Sequence, residues 1–181
     1  VRLNRQSLAS FFSSLSPLTG TFDPRVIFDV HANRFVVVAL ERTDTAFGGS
    51  SNTSRAFMAV SDDSDPNGSW FFLQINSMVM IGGLSRFADF PGLSVDEEAV
   101  YLTTNVFGFG ASPGSSAGVR LWIINKVPFY TGAAATFTMH DPIAAASGAL
   151  NTSTQPAQIY GVAPAGLGTF LMQYSGINDG T

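Results

Sequence analysis

The most informative absence in this chain is cysteine. None of its 181 residues is a cysteine, which excludes disulfide bonds, thiol nucleophiles and zinc sites built on thiolates. The absence leaves the cellular compartment open, because a secreted protein need not contain disulfides. Any site in this chain therefore relies on other side chains.

Charge is also scarce. Only 12% of the residues are Asp, Glu, Lys or Arg, and the net charge is -4. Lys126 is the single lysine, and the other basic residues are arginines. The sequence shows no basic patch or stripe, so we do not expect nucleic acid as a partner. Low charge beside 18 glycines and many Ser and Thr residues is typical of a β-rich extracellular or cell-surface protein, and we expect a bacterial one.

Long hydrophobic runs are missing as well. No apolar run approaches the roughly 20 residues that a membrane helix needs, so no membrane span is predicted. The longest runs, such as residues 35–40, have the length of a strand. Because 45% of the chain is hydrophobic and its mean hydropathy is +0.22, we expect a folded domain with a real core.

Both ends of the sequence look processed. The chain opens on Val1-Arg2-Leu3, without an initiator methionine or a clear signal peptide. It ends at residues 178–181, directly after a predicted strand. We expect a processed product or a segment of a larger protein.

What the chain does contain is a repeat of about 65 residues. Three segments begin with a proline, continue as an apolar strand, pass through a short polar or Gly/Pro turn and return as a second strand. Their prolines are Pro24, Pro91 and Pro156, which lie 67 and 65 residues apart. Self-similarity at a fixed period is the signature of a repeat architecture.

A second element recurs at the same interval. Arg55-AFMAVS and Arg120-LWIINK each join an arginine to an apolar strand, and the two arginines lie 65 residues apart. A turn-rich stretch and a fourth strand follow each of them, at residues 70–76 and from about residue 136. Almost nothing favours helix, apart from helical turns within residues 6–15 and 142–149.

Four antiparallel strands per repeat are typical of a β-propeller blade. The predicted fold class is therefore all-β, a propeller-like stack of four-stranded blades, with a β-sandwich as the alternative. Residues 1–21 form a lead-in, and residues 22–181 form one propeller segment. Its predicted repeats are about 22–88, 89–153 and 154–181. The residues beyond a usual blade length fall in three predicted loops, at 43–53, 77–86 and 108–118.

The predicted propeller is incomplete. A closed propeller typically needs about 4 to 8 blades, and this chain holds nearly three repeats. Open blade edges invite pairing. We therefore expect a longer parent chain, self-association or a partner to complete the stack.

Four stretches carry a resemblance to known proteins: DPRVIFDVHANRFVVVALE, VSDDSDPNGSW, FADFPGLSVDEEAVYLTTNVF and GVRLWIINK. They resemble secreted bacterial β-propeller proteins that are distantly similar to sialidase-like, or Asp-box, propellers. The acidic stretch ending at Trp70 is a degenerate form of the Asp-box hairpin. The resemblance implies a similar architecture and does not imply catalysis.

The stretch SDDSDPNGSWFFLQIN, residues 61–76, supports two interpretations. Asp63, Asp65 and Asn67 alternate before Gly68 and approach the oxygen-ligand order of a calcium loop. However, Gln74 replaces the final glutamate of such a loop, and the flanking segments are predicted strands. Asp-Pro-Asn-Gly is also strong turn chemistry. We favour a hairpin turn and keep calcium at these three residues as the alternative.

Two further acidic turns occupy equivalent places in the first two repeats. Asp96-Glu97-Glu98 is predicted to be a solvated hairpin tip, and residues 29–33 are predicted to be the corresponding turn. Phe47, Phe107 and Phe109 lie in predicted loops and are candidate contacts for a partner.

An enzyme is not expected within this segment. A sialidase-like site needs an arginine cluster, a tyrosine nucleophile with a glutamate partner, and an acid/base aspartate. The candidates for such a site are Arg25, Arg55, Arg86, Arg120, Tyr101, Tyr160, Glu41, Glu97 and Glu98. His31 and His140 are the histidines available to a serine triad, and the sequence has no G-x-S-x-G motif. Recurrence of an arginine at the repeat spacing favours a structural role.

The predicted function is therefore a non-catalytic binding or structural module of a secreted or surface protein. Its blade-end loops would contact a glycan, a protein or neighbouring copies. The alternatives are part of a sialidase-like glycoside hydrolase and a structural subunit of an extracellular assembly.

Overall fold

The computed structural model describes residues 5–43, 49–110, 116–143, 153–162, 164 and 166–173. Strands account for 52% of these residues and helices for 8%, which confirms the prediction of an all-β chain. The paired strands are antiparallel, and one of the sheets is strongly curled.

The first sheet is a four-stranded meander in the order β1-β2-β3-β4. Its strands are β1 (Phe22–Asp29), β2 (Arg34–Thr43), β3 (Thr53–Ser61) and β4 (Trp70–Asn76). They correspond to the four strands predicted for the first repeat. The run of apolar residues in β2 fits this position, because both faces of the strand are covered by other elements.

The second sheet has five strands in the order β5-β6-β7-β8-β9. They are β5 (Val79–Ile81), β6 (Leu84–Val95), β7 (Ala99–Gly108), β8 (Val119–Asn125) and β9 (Phe137–Ile143). The last four correspond to the predicted strands of the second repeat. This sheet therefore contains one strand more than the four predicted.

The extra strand corrects the predicted loop at residues 77–86. Gly82 and Gly83 have φ angles of 60° and 77°, and they turn β5 back onto the start of β6. Two successive residues with positive φ form a tight hairpin turn that glycine accommodates without strain. The two glycines were interpreted as part of a loop, and they close a hairpin instead.

The third unit is much smaller than the first two. Its paired strands are β10 (Gln155–Pro156) and β11 (Leu171–Met172). The predicted hairpin after Pro156 is present, but most of the segment between the two strands is irregular.

Helix is confined to short segments. The helix α1 (Leu8–Phe11) and the 3₁₀ turn Ser13–Leu15 confirm the helical turn predicted within residues 6–15. The other predicted turn begins at Pro142, which belongs to β9, and its residues 144–149 lie outside the described residues. In the described ranges, no helix has the length and apolar character needed to cross a membrane.

The two large units share a strained bulge at their first proline. Asp23, which precedes Pro24, has a φ of 47°, and Phe90, which precedes Pro91, has a φ of 51°. The register of β1 with β2 and that of β6 with β7 both shift at these points. A non-glycine residue at positive φ is uncommon, so its recurrence fixes how the two units align.

The sheets stack face to face around one main core. Its largest buried members come from both sheets and from the helix α2 (Lys126–Tyr130): Leu40, Met58, Leu102, Trp122, Ile124 and Phe129. The outer face of the first sheet is covered by the segment before β1, where Phe12 is fully buried against Phe57 and Phe72.

The outer face of the second sheet meets the third unit. Leu171 of β11 packs against a cluster that includes Tyr101 and Leu121. β1 lies against β6, and β10 lies against β6 and β7. The first strands of the three units are therefore neighbours, which brings the turns that follow β1 and β6 to one end of the stack.

Candidate functional site

The turns after β1 and β6 are built in the same way. The Oδ1 atom of Asp29 accepts the backbone N–H groups of His31 and Ala32 at 2.9 and 3.2 Å. The Oδ1 atom of Asp96 accepts those of Glu98 and Ala99, both at 2.8 Å. An aspartate that binds the backbone two residues on is a common turn-forming device.

These turns confirm the two predicted hairpin tips, with one correction. Asp96 is 6% exposed and Asp29 is fully buried, so neither carboxylate is solvated as predicted for the tip at residues 96–98. Glu97 and Glu98 are exposed. The backbone of each tip thus faces water while its aspartate faces the protein.

Lys126 connects the two turns. Its Nζ atom lies 2.7 Å from Oδ2 of Asp29 and donates to the carbonyl oxygen of Asp96 at 2.7 Å. The lysine side chain is only 7% exposed. Removing an ammonium group and a carboxylate from water is costly unless they are paired and hydrogen-bonded, and here each has such partners.

Helix α2 places this lysine. Asn125 caps the helix by accepting the backbone N–H of Val127 at 3.2 Å. Pro128 is tolerated because the N–H groups of the first helical turn have no partner within the helix. α2 follows β8 directly, so Lys126 stands where a buried strand reaches the end of the stack.

Two tyrosines complete the buried network. The hydroxyl of Tyr130 donates to Oδ2 of Asp29, and the hydroxyl of Tyr101 donates to Oδ2 of Asp96, both at 2.6 Å. Burial, together with the hydrogen bond to a carboxylate, raises the pKa of both hydroxyls above the ordinary value. Each tyrosine therefore stays neutral and acts as a fixed donor.

An open groove with a volume of about 560 Å³ lies above this network. Its lining residues come from both turns and from α2 and its C-terminal end: His31, Ala32, Arg34, Glu97, Lys126, Val127, Tyr130 and Thr131. Arg34 donates through Nη1 to the carbonyl oxygen of Tyr130 at 2.7 Å. The groove therefore combines cationic, anionic, hydroxyl and aromatic groups on a fixed floor.

The third unit closes one side of this end of the stack. The Nε2 atom of His31 lies 3.0 Å from the carbonyl oxygen of Ile159, and its Nδ1 atom lies 4.0 Å from Oε1 of Glu97. The side-chain amide of Gln158 donates to the carbonyl oxygen of Val95 at 3.2 Å and accepts its N–H at 3.1 Å. Side chains thus hold the three units together where backbone pairing is absent.

The acidic stretch after β3 forms the predicted hairpin turn, and β4 starts at Trp70 as expected. Oδ1 of Asp63 accepts the N–H of Asp65 at 2.7 Å, and Oδ1 of Asp65 accepts the N–H of Asn67 at 2.9 Å. The backbone N–H and the side-chain amide of Asn67 hold the pKa of Asp65 below its ordinary value. All three predicted calcium ligands therefore take part in turn hydrogen bonds.

A calcium ion at this loop would have to share or replace those bonds. Asp63, Asp65 and Asn67 are exposed, and calcium requires about 6 to 8 oxygen ligands. Within the described ranges, no group of three or more His, Cys, Asp or Glu side chains is placed to hold a metal ion. The calcium site stays a prediction from the sequence.

The candidate arginines have separate partners. Arg55 binds the buried carboxylate of Glu41, whose Oε1 atom also accepts the N–H groups of Leu18 and Thr19 at 2.5 and 2.8 Å. Arg120 forms a two-pronged ion pair with Asp141. Both arginines are thus tied to neighbouring segments.

The remaining sequence candidates are dispersed. Arg25 donates to the carbonyl oxygen of Pro91 at 3.2 Å. Tyr160 is 74% exposed in the third unit, and His140 lies on the exposed part of β9. Tyr101 serves the Asp96 turn, as described above.

The three phenylalanines predicted to contact a partner also differ. Phe47 lies outside the described residues. Phe107 is partly buried, and Phe109 is 1% exposed with its ring centroid 5.2 Å from that of Phe87. Phe109 therefore packs inward and is not available at the surface.

Sequence reasoning missed Lys126 and Tyr130 as parts of this end of the stack. The signal for Lys126 was its uniqueness among the basic residues, and no local pattern marked Tyr130. Comparison of the chain with protein-family models, with curated proteins and with solved structures finds nothing that matches it.

Proposed function

We propose that this chain is a non-catalytic binding module built as part of a β-propeller of a secreted or surface protein. The groove between the turns at Asp29 and Asp96 is its ligand site, and the ligand is a neutral glycan. The carrying observation is this groove, which combines polar groups of both charges with a rigid, hydrogen-bonded floor.

The charges of the groove favour a neutral ligand. The ammonium group of Lys126 is compensated by Asp29, and the cationic Arg34 shares the groove with the anionic Glu97. Donors and acceptors are therefore both present without a strong excess of either sign. Hydroxyl groups of a sugar match such a mixed set, whereas a highly charged ligand would meet repulsion from one side.

The rigidity of the floor supports binding more than chemistry. Asp29, Asp96, Tyr101, Tyr130 and Lys126 each make hydrogen bonds or an ion pair within the protein. Groups engaged in this way hold the groove in shape, which lowers the entropic cost of binding. None of these five side chains is left in the role of an unengaged base or nucleophile.

The propeller part of the proposal is supported by the arrangement of the units. The first strands of the three units are neighbours, and each large sheet is covered on both faces. This is how blades stack around an axis. The five-stranded second sheet is compatible with this, because β5 pairs only with the first residues of β6.

A panel of neutral xylo-, cello-, malto- and chito-oligosaccharides, followed by calorimetry and by amide chemical shifts, tests the glycan proposal. We expect at least one class to shift the amides of Ala32, Glu97 and Thr131. Glu97→Ala should weaken that binding about tenfold, which corresponds to about 1.4 kcal/mol and to one hydrogen bond to a charged group. Glu98→Ala, its exposed neighbour outside this groove, is the matched control and should bind like the wild type.

Two results would contradict the proposal. One is the absence of any shift at the groove with the whole panel. The other is binding that Glu97→Ala and Thr131→Ala both leave unchanged.

A further inference from the structure

The third unit repeats the start of the first two at a definite register. Arg25 after Pro24 pairs with Val38, and Gly92 after Pro91 pairs with Thr103. After Pro156, the N–H of Ala157 donates to the carbonyl oxygen of Phe170 at 2.8 Å. Phe170 therefore occupies the position of Val38 and Thr103 in their units.

Equivalent positions differ sharply in exposure. Val38 and Thr103 are both 0% exposed, whereas Phe170 is 58% exposed. Two residues further on, Leu40 is 0% exposed and Met172 is 63% exposed. Large apolar side chains in the third unit thus remain in water at positions that the other units bury.

The cause of the difference is the next strand. β2 pairs with β3 and β7 pairs with β8 along their outer edges. In the part of the chain that the structure describes, β11 pairs with β10 alone. Its outer edge lacks the partner that completes the equivalent strand in each large unit.

The backbone of this edge is oriented to accept a strand. In an antiparallel pair, residues face their partner and the opposite side alternately. Because the carbonyl oxygen of Phe170 faces Ala157, the N–H and C=O groups of Leu171 point away from β10. Pro156, opposite Leu171, has no N–H to offer, which agrees with this alternation.

The edge also carries no electrostatic protection. No Asp, Glu, Lys, Arg or His occurs from Pro142 to Asn178. Proteins commonly guard exposed edges with charged residues that discourage pairing. An edge without them is suited to another strand that is recognised by backbone bonds and apolar side chains.

The edge is held in place by the second sheet. Oγ1 of Thr103 donates to the carbonyl oxygen of Thr154 at 2.7 Å, and the N–H of Ser153 donates to Oδ1 of Asn105 at 2.5 Å. Leu171 packs on the outer face of the same sheet. A strand that adds here therefore meets a positioned template, which reduces the cost of ordering.

We propose that the outer edge of β11 accepts an antiparallel β-strand from a separate partner, and that this strand is extended and apolar like β3 and β8. Strand addition of this kind takes its affinity from main-chain hydrogen bonds and its specificity from alternate side chains. The added strand pairs with Leu171 and covers Phe170 and Met172. The inference is independent of the groove and of its ligand.

A peptide with the sequence of residues 119–126, VRLWIINK, is the probe, and a scrambled peptide of the same composition is its control. We expect VRLWIINK to slow hydrogen exchange of the Leu171 amide about tenfold or more, an effect of about 1.4 kcal/mol, and the scrambled peptide to leave it unchanged. Because binding at the edge does not involve the groove, Glu97→Ala should respond to VRLWIINK as the wild type does.

Two variants separate backbone pairing from loss of the side chain. Leu171→Pro removes both the leucine side chain and the outward N–H, whereas Leu171→Ala removes the side chain alone. We expect Leu171→Ala to retain binding of VRLWIINK within about threefold, a cost below 1 kcal/mol, and Leu171→Pro to lose it.

Equal effects of the two peptides, or binding that survives in Leu171→Pro, would overturn the proposal. Light scattering should show a monomer in the absence of peptide. A dimer that Leu171→Pro dissociates would overturn the assignment of a separate partner, because the strand would then come from a second copy of this chain.

Discussion

The ammonium group of Lys126 lies 2.7 Å from Oδ2 of Asp29, and the same group donates to the carbonyl oxygen of Asp96. One lysine thus joins the first turns of two successive sheets. The carboxylate of Asp29 is fully buried, so its charge depends on partners within the protein. This contact connects the packing of the two sheets to the shape of the groove above it.

Removal of the lysine should be costly. Lys126→Met leaves the Asp29 carboxylate buried without its cation, and we expect a loss of about 3 kcal/mol in the free energy of unfolding. Urea unfolding followed by tryptophan fluorescence measures it. The double variant Lys126→Met, Asp29→Asn should be less destabilised than Lys126→Met alone, because no unpaired charge is then buried. Equal losses in the single and double variants would argue against a dominant charge effect.

The buried tyrosines predict a loss of stability at high pH. Their folded-state pKa values are raised above the model value of 10.0, so the stability they contribute is complete below about pH 10 and falls as the pH rises further. Phenolate absorbance should show Tyr160, which is 74% exposed, ionising before unfolding. Tyr160→Phe should remove part of that early step, whereas Tyr130→Phe should leave it intact. Loss of the early step in Tyr130→Phe would contradict the burial of this hydroxyl.

Gly92 controls the docking of the third unit. A Cβ atom there would lie 2.5 Å from Oγ1 of Thr103, 2.6 Å from Oε1 of Gln155 and 2.7 Å from Cδ of Pro156. Gly92→Ala should therefore displace β10 and speed protease cleavage within residues 153–162 and 166–173. Gly161→Ala is the matched control, since nothing lies within 4 Å of its Cβ position. Unchanged cleavage of Gly92→Ala would show that the third unit tolerates the displacement.

Asp89 is expected to cost stability at neutral pH. Burial raises its pKa, as does the neighbouring Asp23, against the opposing hydrogen bond from the N–H of Phe90 and the charge of Arg42. A raised carboxyl pKa means that its contribution is favourable at acidic pH and is lost as the pH rises through the folded value. Asp89→Asn should raise the urea midpoint at pH 7, and the gain should shrink toward pH 4. A midpoint that falls at pH 7 would show that the attraction to Arg42 outweighs burial.

The calcium interpretation of the acidic turn predicts a specific response. An ion held by Asp63, Asp65 and Asn67 should raise the unfolding midpoint in millimolar calcium, and the variant Asp63→Asn, Asp65→Asn should abolish the rise. The hairpin interpretation predicts no rise, with the same stability in calcium and in a chelator. Thermal unfolding in the two solutions decides between them.

Much of the local architecture is written in neighbouring residues. Asp-Pro-Asn-Gly predicts the turn between β3 and β4, and the alternation of apolar runs with short turns predicts the hairpins after Pro24 and Pro91. Such signals are reliable because φ preferences and side-chain-to-backbone bonds act over a few residues. The paired glycines at residues 82 and 83 carried the same kind of signal for β5, which was interpreted as a loop.

The alignment of the repeats needed the register. Arg55 and Arg120 match at the sequence period, yet Arg55 pairs with Glu41 of β2 and Arg120 pairs with Thr104 of β7. With the two bulges superposed, these positions differ by two residues along the strand. Bulges and loop lengths shift a register without changing the apolar pattern, so spacing alone predicted an equivalence that the sheets do not have. The structural role predicted for both arginines agrees with their ion pairs.

The sequence by itself determined that this chain is a β-rich repeat of antiparallel hairpins, because hydrophobic alternation and turn chemistry are local properties. Only the tertiary structure decided that Asp29 and Asp96 are buried, that Lys126 joins them, and that a groove lies above. Those contacts connect residues far apart in the chain, and their energy depends on burial. Neither the partner nor the burial of a charged side chain is encoded in its immediate neighbours.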